Sequence, residues 1–330
     1  MKKSSYFVFL LASLSLCLLS CGGGNGTTAT GGTGGGTGGI GSGTACGAQS
    51  GTLCYTLTIN GVARNYMLHV PTNFQANTSA LVIVLPGSGS TALGMEPRTG
   101  FSTLADQVGF AVVYPDGLIH AGETDWAYYF NDFNDDVSFF RQLITQLQTS
   151  VKPDPKKIFV AGHSAGGFMA HRIGVELSDL VAAIGSVEGA ISSGGTVTSV
   201  PAAAGPVSVL ILHGDQDNTV QYCGSQFDAS QEDTFNYWSG SQGNSCSTLD
   251  TATPLCDSQG NISPVVEKTA TNCSANTEVK IYKLIGGAHA YTTTPMNDPN
   301  GVPYNPDFDS STGTVTTNIL WNFFATHPKP

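Results

Sequence analysis

Five predominantly apolar runs restrict the fold of this chain more than any other feature. They cover residues 80–85, 110–114, 157–161, 207–212 and 279–284. Continuous runs of Val, Ile and Leu indicate strands that are covered on both faces, as in a parallel sheet. Segments with helical apolar spacing lie between the runs. The alternation predicts a mostly parallel, doubly wound α/β sheet.

An antiparallel hairpin is predicted ahead of this sheet. Residues 52–59 and 63–70 alternate apolar and polar side chains around Asn60-Gly61, a pattern typical of a β-hairpin. Helices are predicted at 135–149, 232–238 and 317–326. Residues 46–330 are enough for one large α/β domain.

The N-terminal residues 1–20 have the pattern of a targeting segment. Lys2 and Lys3 give a positive start, and the apolar run 6–19 is short for a membrane span, so a signal peptide is predicted. Leu-Leu-Ser before Cys21 resembles the lipobox of bacterial lipoproteins, in which the cysteine carries lipid. A signal peptide cleaved without lipidation is the alternative.

Residues 21–45 predict a flexible linker, because this Gly- and Thr-rich composition cannot bury a core. We therefore expect an exported protein. It would be lipid-anchored to the bacterial cell envelope through Cys21, its one membrane contact, or secreted.

The cysteines fit an exported chain. Eight are present, and six remain once Cys17 and Cys21 are assigned to the signal peptide and the anchor. These six are Cys46, Cys54, Cys223, Cys246, Cys256 and Cys273. An even number predicts up to three disulfides, with the pairing open. Zinc ligation is the alternative, but no Cys-x-x-Cys spacing occurs.

The polar segment 223–273 is predicted to be a long cross-linked loop. It would either form a wall of a cleft or lie on the surface as a decoration.

The charge pattern argues against nucleic-acid binding. Only 11% of residues are charged, the formal net charge is −11, and no basic cluster occurs. We expect a monomer without metal or cofactor.

A nucleophile elbow is predicted at residues 162–166, Gly-His-Ser-Ala-Gly. The pattern follows an apolar run and precedes a helical stretch, as G-x-S-x-G does when its serine sits on a sharp strand-to-helix turn. Glycines flank such a serine because the turn is crowded. Ser164 is the candidate nucleophile, and an ordinary glycine-rich turn is the alternative.

A serine nucleophile needs a histidine base and a carboxylate that orients the histidine. Beyond an elbow, these partners follow later strands in the order Asp, then His. Asp217 follows the fourth apolar run, and His289 lies in a Gly-rich loop after the fifth. We predict His289 as base and Asp217 as acid, with Asp215 as the rival acid.

Two backbone N–H groups are predicted to hold an oxyanion. One belongs to Ala165, the residue after the nucleophile. The other lies in the loop after the first apolar run, where Ser88 is the first choice and Gly89 the second. An ordinary tight turn is the alternative for this loop.

Several motifs carry a resemblance to a known family. They are Tyr114-Pro115-Asp116-Gly117, Trp126, Asp135-Asp136-Val137, residues 162–170, His213-Gly214-x-x-Asp217-x-Thr219-Val220, Gly286-Gly287-x-His289 and Trp321-x-Phe323-Phe324-x-x-His327-Pro328. The chain resembles the α/β-hydrolase esterases that include polyhydroxybutyrate depolymerases and feruloyl or acetylxylan esterases. The resemblance implies the α/β-hydrolase fold, the triad Ser164–Asp217–His289 and a position near the cleft for Trp126. A buried position in the core is the alternative for Trp126.

The expected activity is hydrolysis of carboxylic esters by serine acyl transfer. The expected substrate is polymeric or polymer-derived, with feruloyl or acetyl esters of plant cell-wall polysaccharide preferred. Polyhydroxybutyrate depolymerisation is the alternative within this class, and peptide hydrolysis is a third reading. A surface binding protein on an inactive hydrolase scaffold is the non-enzyme alternative.

Overall fold

The computed structural model describes residues 43–120, 122–130, 132, 136–191, 196–291 and 315–330. All of these residues belong to one compact unit. The predicted signal peptide, Cys21 and most of the predicted linker lie outside the described residues. None of the helices in the described ranges has the length and apolar character that a membrane span requires.

The described residues form two sheets. The strands are β1 (Thr44–Ala45), β2 (Thr52–Ile59), β3 (Val62–His69), β4 (Leu81–Leu85), β5 (Ala111–Pro115), β6 (Leu118–His120), β7 (Glu123–Asp125), β8 (Ile158–His163), β9 (Ala183–Val187), β10 (Ser208–Gly214), β11 (Thr248–Leu249), β12 (Glu267–Thr271) and β13 (Val279–Leu284). The large sheet has the order β1-β2-β3-β5-β4-β8-β9-β10-β13-β12-β11, and β6 pairs with β7 separately.

The large sheet is parallel in its centre and antiparallel at both edges. Strands β5, β4, β8, β9, β10 and β13 are parallel neighbours. The predicted hairpin is β2 and β3, which joins β5 in antiparallel fashion. This arrangement confirms the predicted fold class.

Helices cover both faces of the sheet. They are α1 (Ala92–Thr99), α2 (Phe101–Val108), α3 (Asp136–Ser150), α4 (Ala165–Glu176), α5 (Gln231–Ser239) and α6 (Val315–Thr326), with a short 3-10 turn at Ser274–Asn276. Leu81 and Ile83 of β4 point into the core that α3, α4 and α5 cover. Val82 and Val84 point into the opposite core, under α1, α2 and α6. Alternate residues of β4 therefore pack into two apolar layers, one on each face of the sheet.

Six strands were absent from the sequence prediction, namely β1, β6, β7, β9, β11 and β12, and two of them bear on the site. Strand β9 reads Ala-Ile-Gly-Ser-Val, and its central Gly185 leaves room for the side chain of Leu320 in α6. Strand β12 lies inside the segment 223–273, which was predicted as a loop. It pairs with β13 and alternates buried and partly exposed residues.

The six cysteines form three disulfides. They are Cys46–Cys54, Cys223–Cys256 and Cys246–Cys273. The last two tie the segment 223–273 to itself, because each closes a loop within it. Such cross-links stabilise a polar segment chiefly by restricting the unfolded chain.

Candidate active site

The elbow forms where β8 ends and α4 begins. Ser164 lies between them with φ 55° and ψ −123°, a conformation that L residues rarely adopt. A side chain on Gly166 would overlap the carbonyl oxygen of Leu85, and one on Gly162 would overlap the backbone of Gly166. The two glycines are therefore required by the close approach of backbone to backbone at this turn.

A chain of two hydrogen bonds connects three side chains at this turn. The Nε2 atom of His289 lies 2.8 Å from Ser164 Oγ, and its Nδ1 atom lies 2.7 Å from Asp217 Oδ2. A buried carboxylate accepts, so Nδ1–H donates to Asp217 and leaves Nε2 free to accept the Ser164 proton.

Parallel pairing of β10 with β13 brings the acid and the base together. Gly214 pairs with Leu284 at the carboxyl ends of these strands, so the loops that follow lie side by side. Asp217 occupies the position beside His289. Asp215, the rival acid, instead accepts a 2.7 Å hydrogen bond from Gly286 N–H.

Asp217 is held as a carboxylate. Burial alone would raise its pKa, but the neighbouring rings of His213, 3.4 Å away, and of His289 outweigh burial and hold the pKa well below its ordinary value. Backbone N–H groups of Thr219 and Val220 donate to Asp217 Oδ1 at 2.8 and 2.9 Å. The carboxylate therefore has a fixed orientation toward His289.

A second histidine lies against the base. The rings of His163 and His289 are 5.4 Å apart, and burial lowers the pKa of His163 to about 3. His163 is thus a neutral wall beside His289 and adds no charge to the site.

The loop after β4 lies over the elbow. A Cβ atom on Gly87 would come within 3.1 Å of Ser164 Cβ, so this loop contacts the serine closely. Gly89 N–H, the second-choice oxyanion donor, already donates to Thr124 O at 2.8 Å. Ala165 N–H lies in the first turn of α4, beside Ser164.

Trp126 binds this loop through a side-chain hydrogen bond. It is buried, and its Nε1–H donates to Pro86 O at 2.8 Å. The carboxyl group of Asp125 accepts a 2.8 Å hydrogen bond from Trp126 N–H. The predicted position of Trp126 near the cleft is thus compatible with the structure, and the role of Asp125 was absent from the sequence analysis.

The comparisons with known proteins show similarity to esterases over the first half of the described fold. A family model described as Esterase PHB depolymerase matches residues 64–210, a range that contains the elbow. Feruloyl esterase B of Piromyces equi is 32% identical over 167 residues, which cover 47% of this chain and 29% of that protein. Over these ranges the chain is similar to proteins described as esterases.

A second relative of this chain is the bifunctional acetylxylan esterase/xylanase XynS20E of Neocallimastix patriciarum. It is 28% identical over 162 residues, which cover 49% of this chain and 22% of that protein. The chain therefore spans less than a third of the length of either relative. The acetyl xylan esterase from Aspergillus awamori has the same fold, with a TM-score of 0.51 and 17% identity, over 72% of this chain and 93% of that one.

An aromatic cluster lies one helical turn beyond Ser164. The ring of Phe168 in α4 is 5.0 Å from that of Tyr128, which is 4.6 Å from Tyr129. Phe168 also packs with Ala190 and Val220. Phe168 is buried, and the partly exposed Tyr128 and Tyr129 form the accessible side of the cluster.

Among the described residues, Glu188, Asp217 and His289 are the group whose donor atoms lie close enough together, within 4.8 Å, to hold a metal ion. His289 and Asp217 already bond each other, and Glu188, beside them, accepts from Gly214 N–H. The three side chains already have partners, so the contacts do not require a metal.

Proposed function

We propose that the protein is an exported serine carboxylesterase with Ser164 as nucleophile, His289 as base and Asp217 as acid. The observation that carries this proposal is the continuous hydrogen-bond chain from Ser164 through His289 to Asp217 at a strained strand-to-helix turn. The same constellation performs acyl transfer on unrelated folds.

The geometry supports a two-step reaction. Ser164 Oγ attacks the ester carbonyl carbon while His289 Nε2 takes its proton, and the N–H groups of Ala165 and Ser88 stabilise the oxyanion. The C–O bond to the alcohol then breaks, and the alcohol leaves with the proton from His289. Water, deprotonated by His289, attacks the acyl-enzyme and releases the carboxylic acid and Ser164.

The proposed export is supported by the three disulfides, because disulfides persist in oxidising compartments. We extend the proposal to a lipid anchor on Cys21 and to a monomer. Mass spectrometry of the mature N-terminus would detect the lipid, and an unmodified residue 21 would contradict the anchor.

Esters of hydroxycinnamic or acetic acid on plant polysaccharide are the proposed substrates. The cluster of Tyr128, Tyr129 and Phe168 supports an aromatic acyl group, because aromatic rings stack favourably with one another. Polyhydroxybutyrate is the second candidate, supported by the description of the family model.

A panel of four substrates tests this choice: methyl ferulate, acetylated xylan, 4-nitrophenyl acetate and polyhydroxybutyrate. We expect release of ferulate or acetate, and on methyl ferulate a decrease in kcat/KM of about tenfold in Phe168→Ala, the value of one aromatic contact. Hydrolysis of polyhydroxybutyrate without activity on the two plant-type esters would favour the second candidate.

Trp126→Phe is expected to lower kcat about tenfold with KM little changed, because it removes the hydrogen bond that fixes Pro86 in the oxyanion loop. A phenyl ring still fills the space beside Phe140, 5.3 Å from the indole, so the melting temperature should stay nearly constant. Steady-state kinetics on 4-nitrophenyl acetate measures the change.

Trp321→Phe is the matched control for this variant. Trp321 stacks on Phe110, with ring centroids 4.1 Å apart, on the face of the sheet under α6. Trp321→Phe should therefore leave kcat unchanged. Equal kcat values for wild type and Trp126→Phe would contradict the proposal that the Trp126–Pro86 hydrogen bond holds the oxyanion loop in place.

A further inference from the structure

We propose that Glu188 is a positioning residue that acts as a neutral carboxylic acid and donates a hydrogen bond to Asp217. The proposal rests on the triad assigned under the proposed function. Glu188 follows β9 directly and has no exposed surface. Since β9 lies between β8 and β10, its carboxyl end reaches the space between Ser164 and Asp217.

Backbone contacts fix Glu188 in this space. Its N–H donates to Leu212 O at 2.9 Å, and the carbonyl group of the preceding Val187 accepts from Ser164 N–H at 2.9 Å. Glu188 has φ 52°, in the region where glycine is preferred over a long side chain. A buried glutamate in a strained conformation is costly, and such strain is commonly found at functional sites.

The proton belongs on Glu188 because its partners differ from those of Asp217. Asp217 accepts from three N–H groups, those of Thr219, Val220 and His289. The carboxyl group of Glu188 accepts from one backbone group, Gly214 N–H, shared between its two oxygens at 3.0 and 3.2 Å. Two adjacent buried carboxyl groups do not both ionise, and the one with fewer donors holds the proton.

No cation among the described residues neutralises the pair. His213 Nε2 lies 3.4 Å from both carboxyl groups, but it also lies 2.8 Å from Val220 O, a bond in which the ring nitrogen must donate. Its Nδ1 atom is buried without a hydrogen-bond partner, so the structure offers no acceptor for the second ring proton that a charged imidazole would carry.

Other titratable groups act on this cluster from the elements packed around it. They are His163 on β8, His171 on α4, Asp228 before α5 and, through His163, Arg98 on α1. Burial raises the pKa of Glu188 to about 9, and the neighbouring Asp217 adds to this rise. A neutral Glu188 therefore leaves the site with one negative charge opposite His289.

Glu188→Gln and Glu188→Gly test this role. Glutamine can donate to Asp217 and accept from Gly214 N–H, as a protonated glutamate does. Glycine removes both contacts and relieves the strained φ. We expect kcat of the glutamine variant within about threefold of wild type at neutral pH, and a loss of about 10- to 100-fold for glycine with KM unchanged, the value of a hydrogen bond to a charged group.

The pH profile separates a positioning role from a merely structural one. Wild-type kcat should fall as the pH rises through about 9, because ionised Glu188 repels Asp217, whereas Glu188→Gln should keep its rate. The melting temperature of wild type should also fall as the pH rises through about 9. The folded chain binds this proton more tightly than the unfolded chain, so the stabilisation is complete below pH 4.5 and is lost as the pH rises through about 9. Wild type should therefore lose more stability than Glu188→Gln over this interval.

Two kinetic results would overturn the proposal: a glutamine variant as slow as the glycine variant, or a glycine variant as fast as wild type. The infrared spectrum gives a readout that does not depend on activity. Wild type at neutral pH should show the C=O stretch of a buried protonated carboxyl group, and Glu188→Gln should lack it. Without this band the proposal fails. If the band is present but no ester is hydrolysed, the proposed function fails and the protonated Glu188 stands.

Discussion

Replacing Ser164 with alanine is expected to lower ester hydrolysis by about 10⁶-fold, the loss seen when a serine hydrolase loses its nucleophile. Alanine keeps the strained backbone at φ 55°, since the cost of a positive φ is similar for both residues. The hydrogen bond from the backbone N–H of residue 164 to Val187 O is also retained. The fold and melting temperature should therefore be unchanged.

A fluorophosphonate probe tests whether Ser164 is the nucleophile and does not require the substrate to be known. The probe should label wild type at Ser164 and leave Ser164→Ala unlabelled. Ser178→Ala, at the far end of α4, is the control and should be labelled fully. Absence of labelling in wild type would favour the binding-protein alternative, and hydrolysis by Ser164→Ala at the wild-type rate would refute the assigned nucleophile.

Local sequence chemistry made the elbow predictable. Gly162 and Gly166 are needed because backbone atoms occupy the space of their side chains, and this need leaves a pattern within five residues. Asp217 and His289 were predictable for a related reason. Each follows a long apolar strand, and the carboxyl ends of neighbouring parallel strands lie at one edge of the sheet.

The contacts that surround the triad leave no such pattern. Glu188 follows a five-residue strand that contains Gly185 and Ser186, and it approaches Asp217 because β9 lies between β8 and β10. Trp126 contacts Pro86 across 40 residues of sequence. Such contacts depend on the register of strands distant in sequence, which periodicity does not specify.

Asp217→Asn is expected to lower kcat by about 10⁴-fold with little change in KM. The asparagine oxygen can still accept from the N–H groups of Thr219 and Val220, which now bind Asp217 Oδ1. Its NH₂ group then faces His289 Nδ1, the position of Asp217 Oδ2. Two donors cannot share this contact, so the imidazole moves its proton to Nε2. The nitrogen that faces Ser164 can then no longer accept the hydroxyl proton.

Asp215→Asn is the matched control, because it makes the same chemical change two residues away. The oxygen of the new amide can still accept from Gly286 N–H, the partner of Asp215 at 2.7 Å. Its kcat should stay within about twofold of wild type. Steady-state kinetics of both variants on 4-nitrophenyl acetate, with melting temperatures as the check on folding, decides between the two acids. An active Asp217→Asn beside an inactive Asp215→Asn would transfer the role to Asp215. Loss of activity in Asp217→Asn alone would identify Asp217 as the carboxylate that orients His289.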